Sequence, residues 1–379
     1  MTTSQRLRML VAAALMLAAP VLIAACGGGD GGGGKVEVAQ GGKPSGEVTI
    51  SNWPGYIDPG KDGTVAEFEK ADGVDVNYIE DINSNTQFFG KLQPLLANGD
   101  SGGRSLFVVT NWLAKQMYDL GYLEQLDHAD LKTVFQNINP QFVDDETDPG
   151  RKFSIPWQGG LTGIWVNTSE APDIRSLQDL FDPKYKGKVT VLDEMRDTVP
   201  LVMQMQGADP NNFTTQDWEK AIDFLKQETD SGQIRRFTGN DYVQDLNAGN
   251  IVACQAWSGD VLALQADNPD IKFVVPEEGL AIWSDNMLVP NKATHKANAE
   301  ALMNYYYDPE VAATLAAWVN YICPVEGAQQ AMEKIDPELV DSPLIFPDSA
   351  TLEKSSAFMA LDTAKAKLYE TDFNLAIGG

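Results

Sequence analysis

Histidine and cysteine are scarce in this chain, which has 2 histidines and 3 cysteines among 379 residues. His128 and His295 stand far apart, and no CxxC pair or metal-type Cys/His cluster is present. The GxSxG, P-loop and HExxH motifs of nucleophilic, nucleotide-dependent and zinc-dependent enzymes are missing as well. These absences predict a protein with no cofactor and no metal site. They also argue against the first alternative, a hydrolase or a transferase.

Basic residues are few, at 28 against 54 acidic ones, for a net charge of −26. Nucleic acid needs a basic face for its phosphates, so no nucleic-acid partner is expected. An acidic surface instead raises the local concentration of a cationic ligand. Most of these carboxylates are ordinary solvated surface, so charge alone does not identify the ligand.

Only one long apolar run exists, and it lies at the N-terminus. Two arginines precede the stretch from Met9 to Ala25, which is a little short for a membrane span and ends in small residues, as secretion signals do. It ends in IAAC, which resembles the lipobox of bacterial lipoproteins and implies cleavage before Cys26 and lipid on its sulfur. Residues 1–25 are therefore a predicted signal peptide and residues 26–46 a Gly-rich tether. Removing the signal takes away both arginines and leaves a net charge of −28.

Strand-like and helical patterns alternate from Glu47 onward. The roughly 330 residues beyond the tether exceed one comfortable core, which indicates two domains. The alternation predicts an α/β fold with a mostly parallel sheet and helices on both faces. After Pro290 we expect helices at His295–Tyr307, Glu310–Asn320 and Ala350–Leu375. A chain that builds one α/β domain, crosses to another and returns is a two-lobed clamp with its ligand cleft between the lobes.

The segment from Ile251 to Pro290 carries two pairs of an indole and a carboxylate. Trp257-x-x-Asp260 follows a short apolar run, and Trp283-x-Asp285 precedes another. An indole face attracts an organic cation by about 0.5–2 kcal/mol, and a carboxylate adds a charge-assisted hydrogen bond of about 1.5–3 kcal/mol. The pattern therefore predicts a site for an aliphatic amine. The alternative is that the tryptophans pack a core and the aspartates cap helices.

Six longer phrases follow one another along the chain: SNWPGYI, FVVTNWLAKQM, FSIPWQGGLTGIWVN, YKGKVTVLDEMRDTVP, AWSGD and AIWSDNMLVP. In this order they resemble one family, the spermidine/putrescine-binding proteins of bacterial ABC importers, and the likeness covers roughly Glu47 to Tyr369. The resemblance implies the type II clamp of periplasmic binding proteins. We expect the first lobe to comprise 47–157 with 284–325, and the second lobe 158–283 with 326–379.

The resemblance also implies a set of ligand-binding residues. Aromatic walls are expected from Trp53, Tyr56, Trp112, Trp257, Trp283 and Tyr321, and a hydroxyl from Thr110. The ammonium groups are expected to meet Glu194, Asp197, Asp260 and Asp285. Glu194 and Asp197 have an i, i+3 spacing, which puts both on one side of a helix start. Trp112 and Tyr321 have a second interpretation as core aromatics, and the two LDEMRD acids as a helix cap and a solvated charge.

Two positions depart from the family pattern. Pro54 and Gly55 stand where the family carries a hydroxyl residue and an acid, so one amine-binding carboxylate is absent. Met359 stands where spermidine binders carry a glutamine. These departures leave open which polyamine binds, and whether another organic cation takes its place.

The implied protein is a lipid-anchored, monomeric receptor outside the cytoplasmic membrane, at its outer face or in the periplasm. Its implied partners are a linear polyamine, an ABC permease and, through the lipid, the membrane. A ferric-ion clamp is a rival, because Tyr305-Tyr306-Tyr307 is similar to the adjacent tyrosines of iron binders. A surface sensor that uses the same clamp is another. Whether Cys254 and Cys323 form a disulfide stays open.

Overall fold

The computed structural model describes residues 44–143, 145–260, 264–265 and 268–378. Within these ranges one sheet has the strand order β2-β1-β3-β9-β4-β7-β5-β6, with β10 beside β9 and β8 beside β4. The strands are β1 (Gly46–Asn52), β2 (Val74–Glu80), β3 (Leu106–Thr110), β4 (Ser154–Asn167), β5 (Val189–Leu192), β6 (Ile234–Thr238), β7 (Ala253–Trp257), β8 (Ile271–Val274), β9 (Leu280–Leu288) and β10 (Ser355–Ser356).

The sheet is more mixed than the sequence predicts. Strand β1 pairs in parallel with β2 and β3, and β5 pairs in parallel with β6 and β7. The two longest strands, β4 and β9, are antiparallel to each other, and each also has an antiparallel neighbour, β7 and β3 respectively. The reason is the chain path, because β4 leaves one parallel half of the sheet and β9 returns to it in the opposite direction.

Helices flank both halves of the sheet. They are α1 (Thr64–Asp72), α2 (Asn85–Leu96), α3 (Asn111–Asp119), α4 (Lys132–Asn137), α5 (Leu177–Leu180), α6 (Met195–Met205), α7 (Thr215–Ser231), α8 (Tyr242–Asn247), α9 (Lys296–Tyr306), α10 (Pro309–Val319), α11 (Ala328–Ile335), α12 (Ser349–Glu353) and α13 (Thr363–Ala376). Helix α10 starts at Pro309, and the Asp308 carboxylate accepts from two of its first backbone N–H groups, as the Asp-Pro pair predicts.

The C-terminal segment corrects one expectation. Ala350–Leu375 is not one helix, because α12 ends at Glu353 and α13 begins only at Thr363. Between them β10 pairs with β9, where Ser355 lies opposite Leu280. Sheet pairing at the start of β9 satisfies backbone groups that a continuous helix would have bonded internally.

Two main hydrophobic cores form among the described residues, besides a third cluster of only three buried residues. The larger one contains Phe107, Met117 and Met287, and the smaller one contains Trp218 and Phe373. Helix α11 adds Met332 to the larger core, whereas α13 packs on α7 in the smaller one. The predicted lobe boundaries remain a prediction, but this packing joins α11 to the first core and α13 to the second.

The predicted signal peptide and Cys26 lie outside the described residues, as does all of the tether before Pro44. None of the helices that the structure describes is long and apolar enough to span a membrane. Cys254 and Cys323 are both buried free thiols, and burial raises the pKa of each. No disulfide joins them in this structure.

Candidate functional site

The crossing strand β9 places Trp283 and Asp285 on one face of the sheet, because side chains two residues apart on a strand point the same way. Asp285 lies opposite Thr110 at the end of β3, and the Thr110 hydroxyl donates to its Oδ1 at 2.7 Å. Trp283 lies opposite Gly160 of β4. A Cβ on Gly160 would fall 2.2 Å from the Trp283 ring, so only glycine leaves room for this indole.

A tight turn in the first lobe presents Trp53 and Tyr56. Between them Pro54 and Gly55 occupy the turn, Gly55 has φ +68°, and the Tyr56 N–H donates to the Trp53 carbonyl at 3.4 Å. Pro-Gly is the preferred central pair of a type II turn, which requires such a φ. Neighbours hold the turn in place: Trp53 Nε1–H donates to the Val108 carbonyl and Trp157 Nε1–H to the Tyr56 carbonyl, both at 3.1 Å.

A carboxylate of the second lobe faces this turn. Asp197, in the first turn of α6, accepts at Oδ1 from Trp257 Nε1–H at 3.1 Å and from the Thr162 hydroxyl. Thr162 in turn accepts from Trp283 Nε1–H at 3.0 Å. One chain of hydrogen bonds therefore fixes both indoles around Asp197, and its second oxygen, Oδ2, accepts no hydrogen bond from the described residues.

Asp260 accepts three hydrogen bonds from the described residues. They come from the hydroxyl of Tyr321, the hydroxyl of Tyr242 at 2.7 Å and Asn240 Nδ2–H at 2.5 Å. Tyr321 is on the return crossing, so this network joins the two lobes. The Tyr321 ring also packs against Tyr56 and Trp283, with centroids 5.1 and 5.6 Å apart.

These side chains enclose one cleft with about 400 Å³ of empty space, counting its open mouth. Its lining comprises Trp53, Pro54, Tyr56, Asn85, Thr110, Asp197, Asn240, Trp257, Asp260, Trp283, Asp285 and Tyr321. Three carboxylates and five aromatic rings are among them, and no lysine, arginine or histidine is. Trp53 and Trp257 meet edge to face, with centroids 5.9 Å apart.

Burial dominates the electrostatics of the cleft. It raises the pKa of Asp285 to about 7, against which the hydrogen bond from Thr110 acts. It raises the pKa of Asp197 to about 6, and that of Asp260 also lies above its ordinary value. A raised carboxyl pKa means that hydrogen bonds and nearby charges, such as Arg196 beside Asp197, do not offset the desolvation of the ionised form. The cleft is therefore built to gain from a cation.

Nine of the eleven ligand-binding residues implied by the sequence line this cleft, and Trp112 and Glu194 do not. Glu194 accepts from the backbone N–H of Asn85 at 2.8 Å, at the first residue of α2 in the opposite lobe. The Arg196 guanidinium lies 3.8 Å from the Trp112 ring centroid and pairs with Glu370 at 2.6 Å. Both predicted residues thus make contacts between the lobes beside the cleft, and their role toward a ligand stays a prediction.

Sequence reasoning missed Asn85, Asn240 and Thr162. Asn85 Nδ2–H donates to the Thr110 hydroxyl at 2.9 Å and so stands directly behind Asp285. Thr162 in β4 links Trp283 to Asp197. Asparagine and threonine are common surface residues, so their type alone does not indicate a binding site. For Thr162 the strand register would have indicated one, because Thr162 lies opposite Trp257 on β7.

The tyrosines that suggested an iron site and the two histidines have structural roles. Tyr306 shares a 3.1 Å hydrogen bond with Thr64, and the Tyr307 hydroxyl donates to the Pro156 carbonyl at 2.8 Å. His128 bonds the Arg151 carbonyl, and His295 the Glu47 carbonyl. Within the described ranges no cluster of His, Cys, Asp or Glu could hold a metal ion.

Comparison with known proteins assigns the chain to a family. The chain matches the bacterial extracellular solute-binding proteins over residues 63–347, well over half of its length. The chain belongs to this family. Such proteins are receptors, so the expectation of a binding protein rather than an enzyme is confirmed, as is the expectation of the family's clamp fold.

Individual solute-binding proteins resemble the whole body of the chain. Spermidine/putrescine-binding periplasmic protein 1 of Haemophilus influenzae is 27% identical over 310 residues, 81% of this chain and 82% of that protein. The putrescine-binding periplasmic protein PotF of Escherichia coli is 28% identical over 319 residues, 79% and 82% of the two chains. The crystal structure of the spermidine/putrescine ABC transporter substrate-binding protein PotD from Streptococcus pneumoniae superposes with a TM-score of 0.71 at 25% identity, covering 87% of this chain and 98% of that one.

Proposed function

We propose that this protein captures a linear polyamine of the putrescine or spermidine type and delivers it to an ABC importer. The observation that carries the proposal is the lining of the cleft, which offers carboxylates and aromatic faces from both lobes and no basic side chain. An alkyl chain with an ammonium group at each end matches such a lining, because its methylenes pack on indole faces and its N–H groups meet acceptors.

The free acceptors of the cleft favour a ligand rich in N–H donors. Asp197 Oδ2 accepts no hydrogen bond from the described residues, since Trp257 and Thr162 both donate to Oδ1. Asp285 Oδ1 accepts from Thr110, and the nearby Tyr56 hydroxyl lowers the pKa of the same carboxyl. The Tyr56 hydroxyl is buried near Asp285 and makes no well-aligned hydrogen bond with the described residues. Two paired ammonium groups and two aromatic faces are consistent with a micromolar dissociation constant, about −8 kcal/mol after the cost of association.

The names of the relatives support the same substrate class and the same setting. The Haemophilus and Escherichia relatives are named as periplasmic binders of spermidine or putrescine, and the Streptococcus relative as the substrate-binding protein of an ABC transporter. The proposal extends this to a monomeric receptor that is anchored through lipid on Cys26 and hands its ligand to a permease. Lobe closure would bury the contacts and present the surface that the permease recognises.

Calorimetric titration with putrescine, spermidine, spermine and ferric ion tests the proposal. We expect at least one of the amines to bind with a micromolar dissociation constant, and ferric ion not to compete with it. Binding should weaken with added salt, although less than at an exposed site, because the carboxylates are buried. No heat with any of the three amines, or tight binding of ferric ion instead, would contradict the proposal.

The fit of Trp283 over Gly160 gives a further prediction. In Gly160→Ala the new methyl meets the indole at 2.2 Å, so the ring must tilt and lose its hydrogen bond to Thr162. Overpacking of this kind costs about 1–3 kcal/mol, and we expect amine binding to weaken about tenfold in calorimetry.

A matched glycine provides the control. Gly90 in α2 has open space around a new Cβ and no positive φ, so Gly90→Ala should leave the affinity unchanged. Equal affinities of wild type and Gly160→Ala would show that the position of the Trp283 ring does not matter to the ligand.

A further inference from the structure

Asp260 has little capacity left for a ligand. Its Oδ1 accepts from the Tyr321 hydroxyl, and its Oδ2 accepts from both Tyr242 and Asn240. A carboxylate offers about four lone-pair positions, and three are taken by these protein donors. This differs from Asp197, whose Oδ2 has no donor among the described residues, and from Asp285, which accepts one well-aligned hydrogen bond, from Thr110.

Asn240 shows the opposite situation. Its Nδ2–H group is committed to Asp260, and this bond sets which way the amide faces. Its Oδ1 atom is buried and accepts no hydrogen bond from the described residues, although the side chain lines the cleft. A buried acceptor without a partner is costly, and a ligand N–H group would remove that cost.

The backbone beside Asn240 is fitted closely to the opposite lobe. A Cβ on Gly239 would lie 2.9 Å from the Asn83 carbonyl oxygen. The absence of a side chain at residue 239 therefore brings Asn240 to the seam where the lobes meet. At that seam Tyr321 of the return crossing also reaches Asp260.

Resting on the proposed function, we infer that Asn240 Oδ1 accepts a hydrogen bond from a ligand N–H group and that Asp260 is a positioning residue that holds the Asn240 amide in place. The cleft then recognises its ligand with two free carboxylates and one neutral acceptor. The third carboxylate acts through Asn240 and does not form an ion pair with the ligand.

A double-mutant cycle tests the assignment, with putrescine titrated calorimetrically into the full chain. Asn240→Ala removes the acceptor, and we expect about 10- to 100-fold weaker binding, as for a hydrogen bond to a charged group. Asp260→Ala removes the acceptor that fixes Asn240 Nδ2–H, so the Asn240 amide loses its set direction and binding should weaken similarly. Because the second change acts through the first, the double variant should bind within about threefold of Asn240→Ala.

The salt dependence of binding separates positioning from an ion pair. If Asp260 forms no ion pair with the ligand, Asp260→Ala should leave the slope of log Kd against log salt at its wild-type value. The matched control is Asn250→Ala, since Asn250 also donates to an aspartate, Asp245, but is exposed and lies outside the cleft lining. It should bind putrescine like the wild type.

Different failures have different meanings. If the wild type binds putrescine and Asn240→Ala binds it equally well, the assignment is wrong while the proposed function stands. Additive losses in the double variant, or a reduced salt slope in Asp260→Ala, would show that Asp260 contacts the ligand itself. If Asp260→Ala does not fold, Asn240→Ala alone decides the assignment. A wild type that binds none of the amines overturns both the function and this assignment.

Discussion

Asp285→Asn is expected to weaken amine binding by about 30- to 5,000-fold, the largest loss from any single change in the cleft. The side chain is 4% exposed, and its only hydrogen bond of regular geometry in the described part of the chain is the one from Thr110. Removing one partner of a buried, hydrogen-bonded charge pair costs about 2–5 kcal/mol, which corresponds to that range of affinity. Asparagine keeps the size of the side chain and an oxygen for Thr110, so the loss reports on the charge.

The same change should not destabilise the ligand-free protein. Burial raises the pKa of Asp285 to about 7, so at pH 8 the ionised carboxylate opposes folding. The neutral amide removes this cost, and Asp285→Asn should melt at or above the wild-type temperature at pH 8. Calorimetric titration and a melting curve on one sample therefore separate lost recognition from lost structure.

Asp62→Asn is the matched control, because Asp62 is exposed and removing it changes the net charge by the same amount. We expect this variant to bind as the wild type does. Unchanged affinity in Asp285→Asn, or equal losses in both variants, would show that long-range charge attracts the ligand and that Asp285 is not its partner.

The residues of β9 could be located from the sequence because the pattern there is local. Trp283 and Asp285 are two apart on a strand, and this spacing alone places both on one face. Tyr56 was assigned from the family resemblance, and the Pro-Gly turn before it accounts for its position. Local inferences such as that for β9 need only the geometry of one element, and that geometry follows from the residue types of a short stretch.

Contacts between lobes could not be predicted in this way. The i, i+3 spacing of Glu194 and Asp197 predicts a shared face, but only Asp197 lines the cleft. The first N–H groups of a helix have no partner within it, and Glu194 accepts from one of them, the Asn85 N–H of α2. Which helix start lies opposite depends on how the lobes approach, and no local pattern records that. Asn240 was missed for the same reason.

The pH dependence of binding is expected to be as large as the effect of Asp285→Asn. Burial raises the pKa of Asp285 to about 7 and that of Asp197 to about 6. A primary amine keeps its proton up to a pH of about 10. An ammonium ligand needs both carboxyls ionised, so it must displace their protons when the pH lies below these pKa values. Affinity should therefore fall as the pH falls.

The magnitude follows from the ionised fractions. At pH 8 both groups are mostly ionised, whereas at pH 5 about one hundredth of Asp285 and about one tenth of Asp197 are, so binding should be about 1,000-fold weaker. The stability of the free protein changes in the opposite direction. A carboxyl whose pKa is raised by folding stabilises the fold below its unfolded pKa of about 4, and this contribution is lost as the pH rises through 6 and 7.

The ligand-induced increase in melting temperature should accordingly be larger at pH 8 than at pH 5. The contribution of Asp197 and Asp285 to the melting temperature of the free protein should change the other way and be smaller at pH 8. Titrations across pH 5–8 would give log Kd a slope approaching two per pH unit below pH 6, and Asp197→Asn should reduce that slope to about one. A flat profile would contradict the prediction, because it would mean that both carboxyls ionise in their ordinary range in the free protein. The cleft would then be open to water before the ligand arrives, and closure would accompany binding.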